Sequence, residues 1–175
     1  DQYKFSEKML LQAGLRYNQF VLDADFDTTF YPFPFTEAKI NDGALTGSFG
    51  LVYRPTAKWV ISSNVATAFR SPNVDDLGKV FDSEPGSVVV PNPDLKAEYA
   101  YNVDLNVAKL FGKNVKVDIS GYYTLLDNAM VRRDFTLNGL TQIVYDGELS
   151  NVQAIQNAAN AKGYGIQAGV EVKSA

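Results

Sequence analysis

The chain has 175 residues, no Cys, no His and a formal net charge of −4. Without thiols or imidazoles it can build no disulfide, no Cys- or His-ligated metal site and no Ser-His-Asp triad. Its acidic balance argues against a nucleic-acid surface. No run approaches the roughly 18 apolar residues of a membrane-crossing helix, Pro and Gly are near ordinary usage, and the length suits one domain.

The dominant signal along the chain is period two, the mark of strands with one apolar face. In residues 9–18, Met9, Leu11, Ala13, Leu15 and Tyr17 oppose Gln12, Gly14, Arg16 and Asn18. In 45–54, Leu45, Phe49, Leu51 and Tyr53 oppose Thr46, Ser48, Gly50 and Arg54. In 59–70, Trp59, Ile61, Val65 and Phe69 oppose Ser62, Asn64, Ala66 and Arg70. The same grammar returns in 99–107 (Tyr99 to Val107 against Asn102, Asp104 and Asn106), in 115–125 and in 164–172. Six strands of about 9–12 residues follow, whereas a soluble strand averages roughly 5–6 and a tilted strand crossing a bilayer needs about 9–11.

The connections alternate in length. Links at 54–58 and 111–114 are short, and those at 21–43, 71–98 and 126–162 are long. Transmembrane β-barrels have short turns at one end and long loops at the other. Tyr17, Tyr53, Trp59, Phe69, Tyr99, Tyr101, Phe111, Tyr123 and Tyr164 fall near strand ends, as aromatic girdles at two membrane interfaces would, although aromatics favour strands in any β protein. The reading is all-β: about six strands of a larger antiparallel, up-and-down transmembrane barrel. Six such strands leave edges that hydrocarbon does not tolerate, so residues 1–175 are expected to be part of one barrel domain.

Two motifs bound the second long connection. Phe69-Arg70-Ser71-Pro72-Asn73, followed by Asp76-Leu77, opens it, and Asn92-Pro93-Asp94-Leu95-Lys96-Ala97-Glu98 closes it. The pair resembles the boxes of TonB-dependent outer-membrane receptors, with Ala97 where that family commonly has Pro. The resemblance, shared by Gly121-Tyr122-Tyr123 and the stretch from Val152 to Gly165, spans nearly the whole chain. It implies a non-enzymatic transport receptor in the outer membrane of a Gram-negative bacterium. Its plugged barrel would have about 22 strands, making this chain about a quarter of the receptor. Its partners would be outer-membrane lipid, a large nutrient such as an iron–siderophore chelate, and TonB through a plug and N-terminal region expected to lie outside this chain. Saccharide, cobalamin or haem cargo are the alternatives within the family. Haem ranks below siderophore, because the connection between the boxes has neither His nor Tyr to ligate it. A soluble secreted β-sandwich or carbohydrate-binding module is the alternative outside the family.

No catalytic, cofactor or metal site is expected. Prolines end the ladder because they have no N–H to donate, so Phe69, Arg70, Pro72, Asn73, Leu77, Asn92, Pro93, Leu95 and Glu98 are read as structural. Asp23, Asp25 and Asp27 do not complete a calcium loop, since Thr28 and Pro34 stand where Gly and Glu belong. Phe30, Tyr31, Phe33 and Phe35 form either a stacking surface for a ligand or a packed loop. Arg132 and Arg133 could attract an anionic chelate, against the plainer reading of a solvated pair. Asn138-Gly139 between residues 131–137 and 140–145 is a hairpin signal, placing those arginines outside the membrane.

Overall fold

The computed structural model describes residues 1–25, 29, 36–78 and 81–173. Ten strands join in one sheet: β1 (Gln2–Ser6), β2 (Met9–Asp25), β3 (Glu37–Tyr53), β4 (Trp59–Arg70), β5 (Phe81–Glu84), β6 (Ser87–Val89), β7 (Glu98–Phe111), β8 (Val115–Asp134), β9 (Gln142–Tyr145) and β10 (Glu148–Val172). One short helix, α1 (Val74–Gly78), follows β4. The spatial order is β1-β2-β3-β4-β7-β8-β10-β6-β5, with β9 also on β10. The six long strands expected from the alternation are β2, β3, β4, β7, β8 and β10, and all their pairings with one another are antiparallel. Only β6, which lies within the second long connection, adds to β10 in parallel.

Register makes the two faces continuous, because directly paired residues share a face. Phe49 pairs with Val65, Val65 with Val103, Val103 with Tyr123 and Tyr123 with Tyr164, so one apolar row crosses five strands. The face is exposed: Leu15 by 84%, Ile166 by 82% and Tyr164 by 78%. An apolar face this open calls for an apolar solvent or partner.

The height of the face agrees with a bilayer. Trp59 and Phe69 lie ten steps apart on the apolar face of β4. That is about 34 Å of strand, or roughly 24–28 Å of height at a tilt of 35–45°, close to the ~25 Å band of transmembrane barrels. Aromatics mark both margins. Near the short turns the Lys109 ammonium lies 4.6 Å from the ring centroids of both Trp59 and Phe111, an arrangement that keeps a charge at an interface while its stem covers apolar surface. Near the long connections Tyr99 sits 6.3 Å from Phe69 and 6.5 Å from Tyr101.

The opposite face is polar and internally bonded. The Asp104 carboxylate accepts from the amides of Asn64 (3.3 Å) and Asn102 (3.2 Å), and Thr124 donates to Asn102 at 2.6 Å. Gly165 pairs with Tyr122 on this face, where a Cβ would stand 2.8 Å from the tyrosine ring. The glycine therefore lets that ring lie against the backbone.

The long connections are shorter than the alternation suggests. β2 and β3 stay paired to Asp25 and Glu37, and β8 stays paired to β10 up to Asp134 and Gln153. The reason is an inversion of polarity. Below, the even-numbered face of β2 carries Arg16 and Asn18; above, it carries Phe20 and Leu22, and on β3 the buried Ala38, Ile40 and Ala44. Hydrogen bonding continues although the apolar set has changed face, which interrupts a period-two pattern without interrupting the strand. β1 is also additional, a five-residue strand on β2 that extends the alternation of short and long links by one turn.

Every buried apolar side chain among the described residues lies in 38–44, 72–95 or 129–154. The core is therefore a folded region at the loop end, made of two clusters. One gathers Ile40, Leu77 and Leu95 with Phe20, Leu22, Met130 and Ile155. The other gathers Val88, Val90, Leu137, Ile143, Val152 and Ala154.

Adjacent positions at one depth of β4 separate the faces experimentally. In full-length protein refolded into lipid vesicles, Val65→Arg should cost about 2–4 kcal/mol in denaturant titrations, the penalty of a cation near the bilayer midplane. Asn64→Lys, which points the other way beside Asp104, should cost less than about 1 kcal/mol.

Candidate functional site

The two sequence boxes meet at the loop end. Phe69 and Arg70 complete β4, and buried Pro72 ends the ladder. Asn73 then caps α1: its Oδ1 accepts from the Asp76 amide at 2.8 Å, while the Asp76 carboxylate accepts from the Asn73 amide at 3.1 Å. This is the reciprocal bonding of a capping box with Asn and Asp in the paired roles. Arg70 Nη2 reaches both Asp76 oxygens, at 3.0 and 2.8 Å, so one carboxylate ties the strand end to the cap. Leu77, wholly buried, is the apolar peg that the cap presents to Ile40 and Leu95.

The second box is fastened to the far strands. Asn92 is 7% exposed. Its backbone N–H donates to the Leu77 carbonyl at 3.2 Å, its side-chain amide donates to the Ile155 carbonyl at 2.8 Å, and its Oδ1 accepts from the Asp94 amide. Pro91 and Leu95 are buried beside it. Glu98 begins β7 and accepts from the Met130 amide at 2.9 Å. There the β8–β10 register shifts at two irregularities near Ala129 and Ala159, and Asn128 takes a φ of 55°, a left-handed conformation that Asn tolerates better than most residues.

Asn157 closes the arrangement, and it stands outside both motifs. Its Oδ1 accepts from the Lys96 amide, and its Nδ2 donates to the carbonyls of Lys96 (2.8 Å) and Asn128 (2.9 Å). One side chain thus joins the bulge to the second box, which lies 61 residues away in sequence at Lys96. The only signal in the sequence is an Asn inside a long strand, where that residue is disfavoured.

The remaining candidates are not brought together. Arg132 pairs with Ile155 and Arg133 with Ala154, so strand alternation sends them to opposite faces. Ile155 packs on the Leu77 cluster and Ala154 lies in the Val88 cluster. Arg133 donates to the Ala158 carbonyl at 3.3 Å. Phe30, Tyr31, Phe33 and Phe35 lie outside the described residues, as does Asp27. The Asn138-Gly139 turn forms, with φ of 52° and 78° and mutual backbone bonds between Leu137 and Leu140. The flanking strands differ from the hairpin expected, for Gln142–Tyr145 pairs with Glu148–Asn151 and the end of β8 pairs with β10. At the loop end of β3, Lys39 is held above its usual pKa, first by its hydrogen bond to Glu37 and then by the charges of Asp23 and Glu37. No cluster of three or more His, Cys, Asp or Glu side chains able to hold a metal exists among the described residues.

A family model described as TonB dependent receptor-like, beta-barrel matches residues 1–173. The chain belongs to the TonB-dependent receptor β-barrel family. Solved structures of similar fold include the Serratia marcescens hemophore receptor HasR in complex with its hemophore HasA and heme (TM-score 0.75, 16% identity, 99% of this chain and 30% of that one). The siderophore receptor PirA of Acinetobacter baumannii aligns with a TM-score of 0.70 at 14% identity, over 98% of this chain and 24% of that one. The FrpB iron transporter of Neisseria meningitidis aligns with a TM-score of 0.65 at 19% identity, over 99% and 23%. The chain thus spans less than a third of the length of these structures. No curated protein matches it at significant similarity. In this TonB-dependent receptor barrel the two boxes are one latch: a cap, a peg and an amide clamp that hold the connection between β4 and β7 against the neighbouring strands.

Asn157→Ala should open the latch locally. Losing its three bonds leaves backbone groups to water or to nothing, at about 1–3 kcal/mol. Hydrogen exchange should show the Lys96 amide at least about tenfold faster, with the amides of β4 below Asn64 unchanged.

Proposed function

We propose that this chain is a section of the barrel wall of an outer-membrane receptor that imports an iron–siderophore chelate or similar large nutrient, using energy supplied through TonB. The observation that carries the reading is the junction of a membrane-height apolar wall with the boxed latch of the TonB-dependent receptor family. A wall of that kind needs lipid on one face, and a latched cap at one end suits a receptor that must hold its loops over a large ligand. Solved proteins of similar fold are named for iron, siderophore and heme acquisition, and one for copper transport; iron-containing cargo predominates among them. The connection between the boxes, residues 71–91, has neither His nor Tyr to ligate haem, which favours a chelate over haem.

Within this reading the nine motif residues of the boxes hold the loop end in shape, and cargo contacts fall to the surfaces above them. Of the two arginines, Arg132 is the better placed for an anionic chelate, because it shares a face with Ile155 and so with the Leu77 side of the cap. Phe30, Tyr31, Phe33 and Phe35 are the aromatic candidates.

Uptake of radiolabelled iron from a panel of ferric siderophores tests the proposal. A strain deleted for the full-length gene should lose at least about 90% of uptake of one chelate, and restoring the gene should recover it only where TonB is intact. Unchanged uptake of every chelate in the deletion strain, under iron limitation, would refute iron import.

A further inference from the structure

The short-turn end of the wall carries an excess of positive charge. Residues 1–8, 54–58, 109–116 and 171–173 hold eight Lys or Arg against three Asp or Glu. The whole chain has a net charge of −4, so the excess is local to this end and the rest of the chain is acidic. Two of the three acids are taken up: Lys4 pairs with Glu7 at 2.7 Å and Lys116 with Glu171 at 3.8 Å. The third, Asp1, stands beside Ala13, up the wall from the turns. Lys8, Arg54, Lys58, Lys109, Lys113 and Lys173 are left with no ion-pair partner among the described residues.

Backbone bonds between neighbouring turns set these cations side by side. The Arg54 N–H donates to the Lys8 carbonyl at 2.7 Å, the Leu110 N–H to the Lys58 carbonyl at 2.8 Å, and the Lys173 N–H to the Asn114 carbonyl at 2.8 Å. Lys8 thereby adjoins Arg54, Lys58 adjoins Lys109, and Lys113 adjoins Lys173, a pair of cations at each of these seams. Like charges on adjacent strands destabilise one another, and an anion placed between them reverses the effect.

Lys109 shows where such an anion lies. It pairs with Trp59 on the apolar face, and its ammonium is 4.6 Å from the ring centroids of Trp59 and Phe111. Those rings mark the lower margin of the apolar band, the depth at which interfacial aromatics meet lipid headgroups. A soluble partner below the turns would meet Arg54, Lys58 and Lys113 but would miss Lys109, which faces outward into the lipid layer. The anions of that layer are lipid phosphates, and a Lys ammonium binds phosphate as a point charge. Clustered cations at a membrane surface are the common means of holding anionic lipid.

We propose that this rim binds anionic phospholipid headgroups in the leaflet at the short-turn end, with Lys58 and Lys109 holding one phosphate beside Trp59. The proposal rests on the membrane reading of the apolar face and is independent of the cargo.

Lipid-specific quenching in the full-length protein, with any other cysteines replaced, tests it. A fluorophore is attached through Ala57→Cys, in the exposed turn between Arg54 and Lys58, or through Val65→Cys in the apolar band. The vesicles are phosphatidylcholine with a minor share of nitroxide-labelled phosphatidylglycerol or nitroxide-labelled phosphatidylcholine. The nitroxide lies near the headgroup for residue 57 and deeper along the chain for residue 65. At residue 57 phosphatidylglycerol should quench at least about threefold more strongly than phosphatidylcholine, as expected of a few cations beside an anionic lipid. Lys58→Gln combined with Lys109→Gln should abolish that preference, Lys109→Arg should keep it, and about 0.5 M salt should weaken it. Lys109→Gln alone decides the matter if the double variant does not refold. At residue 65 both lipids should quench alike. No quenching there by either lipid would refute the membrane reading and the proposal with it. Quenching at residue 65 without a preference at residue 57, or a preference that the Gln variants leave intact, would overturn the proposal alone. Binding of polyglutamate through the same cations, with no lipid preference, would also overturn it and assign the rim to an acidic protein.

Discussion

A peptide group left unpaired in hydrocarbon costs several kcal/mol, so a strand can cross a bilayer only when both of its edges are bonded. That constraint organises this chain from β2 to β10. Each long strand is paired to the next within the apolar band; the β3–β4 ladder covers 48–53 and 61–66, and above it the Thr67 hydroxyl bonds the Gly47 N–H and carbonyl. The connections that could not be satisfied there are pushed to the two ends. It also explains why the wall has no buried core of its own. With lipid on one side and polar groups on the other, the wall is held together by its ladder and by cross-strand rows such as Phe49–Val65–Val103–Tyr123, rather than by burial between layers.

Above the band the constraint relaxes and ordinary globular packing takes over. The even-numbered face of β2 and β3 turns from Arg16, Asn18 and Thr46 to Phe20, Leu22 and Ile40, and Leu77 is driven into it by the capped turn after β4. The latch residues therefore work at a border. Arg70 and Glu98 are the last paired positions of β4 and β7, and their side chains reach out of the ladder to Asp76 and to the Met130 amide. Pairing in the wall sets where the boxes stand, and the boxes set where the loop-end core forms.

How much of this is legible in the sequence follows from the same border. β4 can be read from Trp59 to Arg70 as it stands, because its alternation runs through the strand with only Val60, Ser63 and Thr67 off the pattern, and Pro72 stops it. The upper halves of β2, β3, β8 and β10 read as loops, because a period-two template fails where the apolar set changes face even though the hydrogen bonds do not. β1 alternates in Tyr3 and Phe5 but is too short to register as a pattern. Both boxes are visible as motifs, and their chemistry is not: the capping exchange between Asn73 and Asp76 is local, whereas Asn157 joins Lys96 to Asn128 only once three strands are side by side. The arginine pair shows the opposite limit. Adjacency in sequence suggests a double cation, and strand geometry sends Arg132 and Arg133 to different faces.

One face of this sheet meets lipid across a band of fixed height. This chain contributes no Cys of its own, and in a full-length protein with any other cysteines replaced, single cysteines placed along β4 at positions 60 to 69 each carry a nitroxide label in vesicles. Collision rates with oxygen, which concentrates in lipid, and with a water-soluble nickel complex measure each site's surroundings. Alternation is expected: oxygen dominates at positions 61, 63, 65 and 67 with a maximum near 65, and the nickel complex gains at 62, 64 and 66. Uniform water accessibility at every labelled position, or an oxygen maximum on the even-numbered side, would contradict it.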